Sequence, residues 1–281
     1  MKRFLTFLLL ICFVFPVAQA DEKIYLALGD SITTGYGLAD SEKGFAKLIA
    51  EKNGYKLVNR AVNGATTADV LALLEQQSVL NTVAKADLIT LTCGGNDLMG
   101  LLFMQSAAVY NTMAAEQIST GDAYAILTNL SDPRQGALMY AMQNMLMGTE
   151  TSPGLVDSPV MTAALIVYGN QLNDVIAKIR AVNPDAAIIV STQYNPFQFF
   201  TGDYLPFGQI VGRAVEKLSG VITANAETAG YLVADAYSAF AAGTENLCCA
   251  AMQPFNPDPH PNAAGHQVLA ECFQQVINNM Q

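Results

Sequence analysis

Ser31 is the first residue in the chain with the setting of a nucleophile. It closes the stretch Leu26-Ala27-Leu28-Gly29-Asp30-Ser31, in which an apolar run stops abruptly at a glycine. Residues 24–28 have the length and composition of a buried strand, and Gly29 ends it. A serine at such a turn stands at the mouth of a sheet. In open α/β sheets, ligands bind in the crevice at the carboxyl ends of the strands. The tripeptide alone is weak evidence, because Asp and Ser after a strand also form ordinary turns and helix N-caps.

Three further polar clusters follow in order. Asn59-Arg60-Ala61-Val62-Asn63-Gly64-Ala65-Thr66 comes after a second strand-like run, and Thr92-Cys93-Gly94-Gly95-Asn96-Asp97 directly after Leu88-Ile89-Thr90-Leu91. Asp258-Pro259-His260-Pro261-Asn262 leads into a helical pattern from Ala263. A serine, a glycine N–H, an asparagine amide and a late histidine are the parts of an acyl-transfer site: nucleophile, oxyanion donors and base.

With these four blocks in this order, the chain resembles the SGNH hydrolases, also called GDSL-type esterases and lipases. The letters of the family name fall on Ser31, Gly64, Asn96 and His260. The resemblance spans almost all of residues 21–281. It implies an α/β fold, a flavodoxin-like three-layer α/β/α sandwich with a parallel sheet, and hydrolysis of carboxylic esters through an acyl-enzyme on Ser31. The Ser31 N–H, the Gly64 N–H and the Asn96 amide would form the oxyanion hole, with His260 as base. His266 falls inside the last helical pattern and reads as structural. Asp30 and Asp97 flank the site, and structural hydrogen bonding is expected of both.

The third catalytic member departs from the family pattern. Members usually place an aspartate three residues before the histidine, where this chain has Pro257; Asp258 lies only two before. Two arrangements are open. Asp258 reaches the imidazole Nδ1–H through an unusual loop between the prolines, or a backbone carbonyl orients the ring and the site is a Ser-His dyad.

Competing motifs are absent. The position two after Ser31 is Thr33, so the G-x-S-x-G elbow fails. There is no phosphate-binding GxxxxGK[ST] and no HExxH. No cofactor and no catalytic metal are expected.

The elements that position these residues alternate. Strand-like runs at 24–28, 55–59, 87–92, 187–191 and 231–235 are separated by helical patterns at 67–80, 161–183 and 208–229, with a last helix at 263–279. That order argues for a parallel sheet covered on both faces. Between Asn96 and the helix preceding the fourth strand, roughly sixty residues exceed an ordinary connection. This segment, about 98–159, reads as a helical insertion with one helix around Leu98–Ala108 and another over Ala137–Met147. Its methionines are either ordinary core or the wall of a cap that adapts to an acyl chain. Tyr194, Phe197, Phe199, Phe200, Tyr204 and Phe207 are a second candidate wall, or packing.

Lys2 and Arg3, the apolar run Phe4–Val17 and Ala18-Gln19-Ala20 form the pattern of a secretory signal peptide, residues 1–20, cut before Asp21. The apolar run is short for a membrane anchor, so no stable membrane insertion is expected after cleavage, and the expected location is secreted or periplasmic. Residues 21–281 then carry 12 basic against 24 acidic residues, a formal net charge of −12. Nucleic-acid binding needs a positive footprint, so no nucleic-acid partner is expected. Export permits a disulfide. Cys248 or Cys249 with Cys272 is the expected pair, because these segments flank the His260 loop. Cys93 reads as a small core residue.

The resulting expectation is a secreted serine esterase or lipase acting on a small-molecule, lipid or polysaccharide ester. A carbohydrate acetyl esterase and a non-catalytic binder retaining the fold are the alternatives. Mass spectrometry of the exported protein is expected to find Asp21 at its N-terminus; an intact Met1 would overturn the leader.

Overall fold

The computed structural model describes residues 22–40, 43–129, 131–148 and 153–280. The leader expected over residues 1–20 lies outside the described residues. Five apolar runs form one parallel sheet: β1 (Ile24–Gly29), β2 (Lys56–Asn59), β3 (Leu88–Thr92), β4 (Ala187–Ser191) and β5 (Leu232–Ala234). Their order is β2-β1-β3-β4-β5. The central strands β1, β3 and β4 are buried almost throughout, because helices cover both faces of the sheet and both sets of alternating side chains must be apolar. From β1 the chain steps outward to β2 and then returns across β1 to β3. This reversal opens a crevice at the carboxyl ends of β1 and β3, the topological switch point of such a sheet.

Tyr25 and Ala27 face a layer made by α2 (Phe45–Asn53), α10 (Ala236–Ala241) and α11 (Ala263–Asn279), with Ile49, Phe240 and Phe273 in its core. Leu26 and Leu28 face the opposite layer. It comprises α3 (Thr67–Leu73), α4 (Gln77–Val83), α8 (Pro159–Val182) and α9 (Leu205–Ala229), and buries Tyr168, Leu172, Ile176 and Leu218. A one-turn helix, α1 (Ser31–Thr34), follows β1. A short hairpin, β6 (Ala251–Met252) and β7 (Phe255–Asn256), precedes the histidine loop.

The segment after β3 is helical, as its pattern predicts, but its bounds differ. The helix α5 (Gly95–Met113) begins three residues earlier than the apolar pattern, so Asn96 and Asp97 occupy its first turn. It packs against α6 (Thr120–Thr128) and α7 (Gln135–Met147) around Tyr110, Ile126, Leu138 and Ala141. The pattern missed α6, although its capping box, Ser119 with Asp122, is visible in the sequence. The methionines divide: Met142 and Met161 are buried, whereas Met104, Met113, Met139 and Met147 are exposed. Asp157 ties the end of the segment to α9, accepting from Arg213 at 2.6 Å and Lys217 at 3.0 Å.

Two other expectations need correction. The helix expected over 67–80 is broken into α3 and α4. Glu75 N–H and Gln76 N–H turn back to the carbonyls three residues earlier, which lets Leu74 enter the core beside Val70 and Val79. The expected disulfide is not formed: Cys93, Cys248, Cys249 and Cys272 are all free thiols. Backbone hydrogen bonds take its place, with Cys248 bridged to Pro261 and Cys249 N–H donating to His260 O at 2.8 Å. The Cys272 thiol instead lies 3.7 Å from Asp235 O.

Gly29 is where sheet and site meet. Its φ of +131° is closed to most side chains, and an added Cβ would lie 2.2 Å from Thr92 O on the paired strand. Gly29→Ala is therefore expected to destabilise the fold by about 2–5 kcal/mol, from backbone strain and overpacking together. Urea unfolding at neutral pH measures this, and a change under about 0.5 kcal/mol, the ordinary surface range, would refute it.

Candidate active site

The nucleophile candidate is held by its own short helix. Asp30 is the N-cap of α1, its Oδ1 accepting from Ile32 N–H at 3.0 Å, which places Ser31 in the first turn. Asp30 Oδ1 also accepts from Thr92 Oγ1 at 2.8 Å, and Thr33 Oγ1 lies 2.7 Å from the same Thr92 hydroxyl. Thr33 Oγ1 also lies 3.3 Å from Leu28 O, to which it can donate. The turn carrying Ser31 is thus fastened to the end of β3 by a buried polar cluster. Neither Thr92 nor Thr33 was singled out from sequence, although an inward-facing hydroxyl at the end of an apolar strand is a readable signal.

His260 reaches Ser31 from the other end of the chain. Its Nε2 lies 2.8 Å from Ser31 Oγ, and its Nδ1 lies 2.5 Å from Asp258 Oδ1. Of the two open arrangements, the aspartate is the one the structure places on the ring. The two-residue spacing suffices because the loop folds as successive Asx turns. Asn256 Oδ1 accepts from Asp258 N–H at 3.2 Å, and Asp258 Oδ1 accepts from His260 N–H at 3.0 Å. Each side chain bends forward over the residue two ahead, so Asp258 Oδ1 meets the backbone and the ring of the same histidine. Pro257, Pro259 and Pro261 fix φ at alternate positions of this loop. Tyr194 Oη donates to Pro259 O at 3.1 Å and anchors it from below.

The oxyanion candidates are connected through backbone. Val62 N–H donates to Gly29 O at 3.0 Å, and Thr34 Oγ1 donates to Asn63 Oδ1 at 2.6 Å, so the Gly64 loop is fastened to α1. Gly64 has φ +78° and is exposed. Asn96 Nδ2 donates one proton to Ala65 O at 3.0 Å, joining the start of α5 to the same loop. An amide carries two such protons, leaving one for another acceptor. Among the described residues, neither the Ser31 N–H nor the Gly64 N–H has an acceptor.

The flanking carboxylates act structurally. Asp97 accepts from Thr67 N–H and Thr67 Oγ1, both at 3.1 Å, holding α3 to α5. Burial pushes the Asp30 carboxyl up to about 6, against the opposing hydrogen bonds from Thr92 and Ile32. His266 is fully buried and stacked on Phe45, with Nδ1 accepting from Phe45 N–H at 3.3 Å; burial lowers it to about 4. Burial pushes the Cys93 thiol to about 12, which removes it as a nucleophile. Of the aromatic residues, Tyr194, Phe197 and Phe200 are core, with Tyr194 stacked on Phe240 at 4.2 Å; Tyr204 is exposed and stacks on Phe255.

A profile of the GDSL-like lipase/acylhydrolase family matches residues 27–268, which contain every block described above. The chain belongs to that family. The spore germination lipase LipC of Bacillus licheniformis is 35% identical over 100 residues, 34% of this chain and 45% of that lipase. The match thus spans less than half the length of that relative. Among solved structures, the extracellular lipase of Streptomyces rimosus superposes with a TM-score of 0.57 at 22% identity, covering 92% of this chain and all of that one. The phospholipase A1 of Streptomyces albidoflavus NA297 gives 0.56 at 24% identity, covering 92% and 99%. These two likenesses establish a shared fold.

The two buried titrating groups give opposite pH dependences. The folded state holds the Asp30 proton above the ordinary 3.8, so its contribution to stability falls as pH rises from about 4 to about 6. The folded state disfavours the His266 proton, so its contribution falls as pH drops from about 6.5 to about 4. Asp30→Asn keeps the accepting oxygen and removes the first slope. Between pH 4 and 6.5 its unfolding free energy is expected to gain about 2 kcal/mol relative to wild type. Parallel urea titrations at several pH values measure the difference; a constant difference would show that Asp30 is not protonated by burial.

Proposed function

We propose that this protein is a serine carboxylic ester hydrolase of the exported lipase/esterase type. The observation that carries the reading is the continuous line of hydrogen bonds Ser31 Oγ to His260 Nε2 to His260 Nδ1 to Asp258 Oδ1, 2.8 and 2.5 Å long. A carboxylate only accepts, so Asp258 fixes the proton on Nδ1 and leaves the Nε2 lone pair facing the serine. Ser31 Oγ attacks the ester carbonyl carbon as its proton passes to Nε2. The carbonyl oxygen, now negative, takes the Ser31 and Gly64 N–H groups and the second Asn96 amide proton. Collapse breaks the bond to the alcohol, which leaves with the Nε2 proton. Water, deprotonated by the same nitrogen, then releases the acid and restores Ser31.

The names of the relatives support an ester substrate, and the insertion supports an apolar one. The helix α7 contains no charged residue, and Met139 and Met147 are exposed along it. We assign the insertion as a cap in which the uncharged, methionine-bearing surface of α7 accommodates an acyl chain.

Hydrolysis of p-nitrophenyl esters from acetate to palmitate is expected, with a rate optimum above acetate. Ser31→Ala is expected to abolish it. An acetate-only profile would instead favour the acetyl esterase, and turnover that survives in Ser31→Ala would overturn the serine mechanism. Asp258→Ala is expected to lower kcat about 10⁴-fold. A loss below about tenfold would reduce the site to a dyad.

A further inference from the structure

The one-turn helix that carries Ser31 also returns a second side chain to the site. Gly35, in the left-handed region at φ +74°, donates its N–H to Ile32 O at 3.2 Å, and Tyr36 N–H donates to Ser31 O at 3.0 Å. This nested pair is a Schellman motif, in which the residue after the glycine folds back onto the first residue of the closing turn. The first residue here is the nucleophile, and the residue after the glycine is Tyr36. Gly37, also left-handed at φ +84°, then turns the chain away. The backbone therefore fixes Tyr36 beside Ser31. Its ring lies against the imidazole of His260, centroids 4.8 Å apart and planes 51° apart.

Tyr36 has no packing reason to be there. It is 52% exposed, and among the described residues its hydroxyl has no hydrogen-bond partner. An aromatic ring beside an imidazole does two things: it limits the ring's rotation, and its negative π face favours a cation. The groups around His260 divide the work: Asp258 holds its Nδ1, Ser31 its Nε2, and the Tyr36 ring packs against it at a tilt of 51°. We propose that Tyr36 is a positioning residue for the reaction, holding the His260 ring in line and stabilising the imidazolium that forms when the Ser31 proton moves. The proposal rests on the serine-hydrolase reading above.

The test compares wild type with Tyr36→Phe, Tyr36→Leu and Tyr36→Met, using p-nitrophenyl ester kinetics and the rate constant of inactivation by a fluorophosphonate. Leu and Met keep the bulk without the π face, and circular dichroism checks that each variant is folded. Both are expected to lose about three- to tenfold in kcat and in inactivation rate, with KM unchanged. Tyr36→Phe, which keeps the ring, is expected to stay within about twofold of wild type. Wild-type rates in both Leu and Met would overturn the proposal. So would a Phe variant as slow as Leu, or a change confined to KM, which would make Tyr36 a substrate contact. A wild-type protein that neither turns over esters nor reacts with the fluorophosphonate would overturn the hydrolase reading and this inference with it. Normal wild-type reactivity with unaffected variants overturns this inference alone.

Discussion

The close approach of β1 and β3 at Gly29 and Thr92 is the constraint from which the site is built. Parallel strands in register bring the Thr92 backbone to within 2.2 Å of where a Gly29 side chain would begin, so only glycine fits. Because that glycine turns sharply, Asp30 points back to the Thr92 hydroxyl and caps α1 in the same gesture. Ser31 then has one orientation. The strand pairing sets the sheet, the sheet sets the turn, and the turn sets Ser31. A buried carboxyl that holds its proton well above the usual range is the cost of this arrangement.

The histidine loop solves a similar problem without a strand. Asn256 and Asp258 each accept the N–H two residues ahead, and prolines restrict the positions between them. The loop is then fixed from outside by Tyr194 on Pro259 O and by Cys249 N–H on His260 O. Local hydrogen bonds that turn the chain tightly do here what a covalent bridge was expected to do. Asp258 serves the turn and the ring with one oxygen atom, so the same interaction that shapes the loop aims the imidazole.

Much of this was legible before any coordinates. The five strands fall within a residue or two of the apolar runs, because in a doubly covered sheet each strand reads as a continuous apolar segment. The serine, glycine, asparagine and histidine stand out because polar residues at strand ends have few other reasons to cluster. What was not legible depends on side chains folding back over their own backbone. The reach of Asp258 to Nδ1 depends on an Asx turn that spacing alone does not specify. The roles of Thr33 and Thr92 depend on register, and the break at Leu74 depends on which side chain the core admits. The cysteine pairing failed for a related reason: proximity in the loop plan says nothing about where each sulfur points.

Ser31 and His260 are 229 positions apart in the chain, yet share one hydrogen bond. Between them lie four of the five strands and the whole insertion, and the helix α11 that follows His260 is seated against Phe45 through His266 and Phe273. The reactive pair is therefore a non-local contact of the most extreme kind and exists only when the two ends of the fold have met. A chain that stops short of His260 leaves Ser31 without this hydrogen-bond partner. Local opening of the carboxy-terminal segment would part His260 from Ser31 while the sheet stays paired. The 2.8 Å contact between Ser31 and His260 therefore depends on the integrity of the whole molecule.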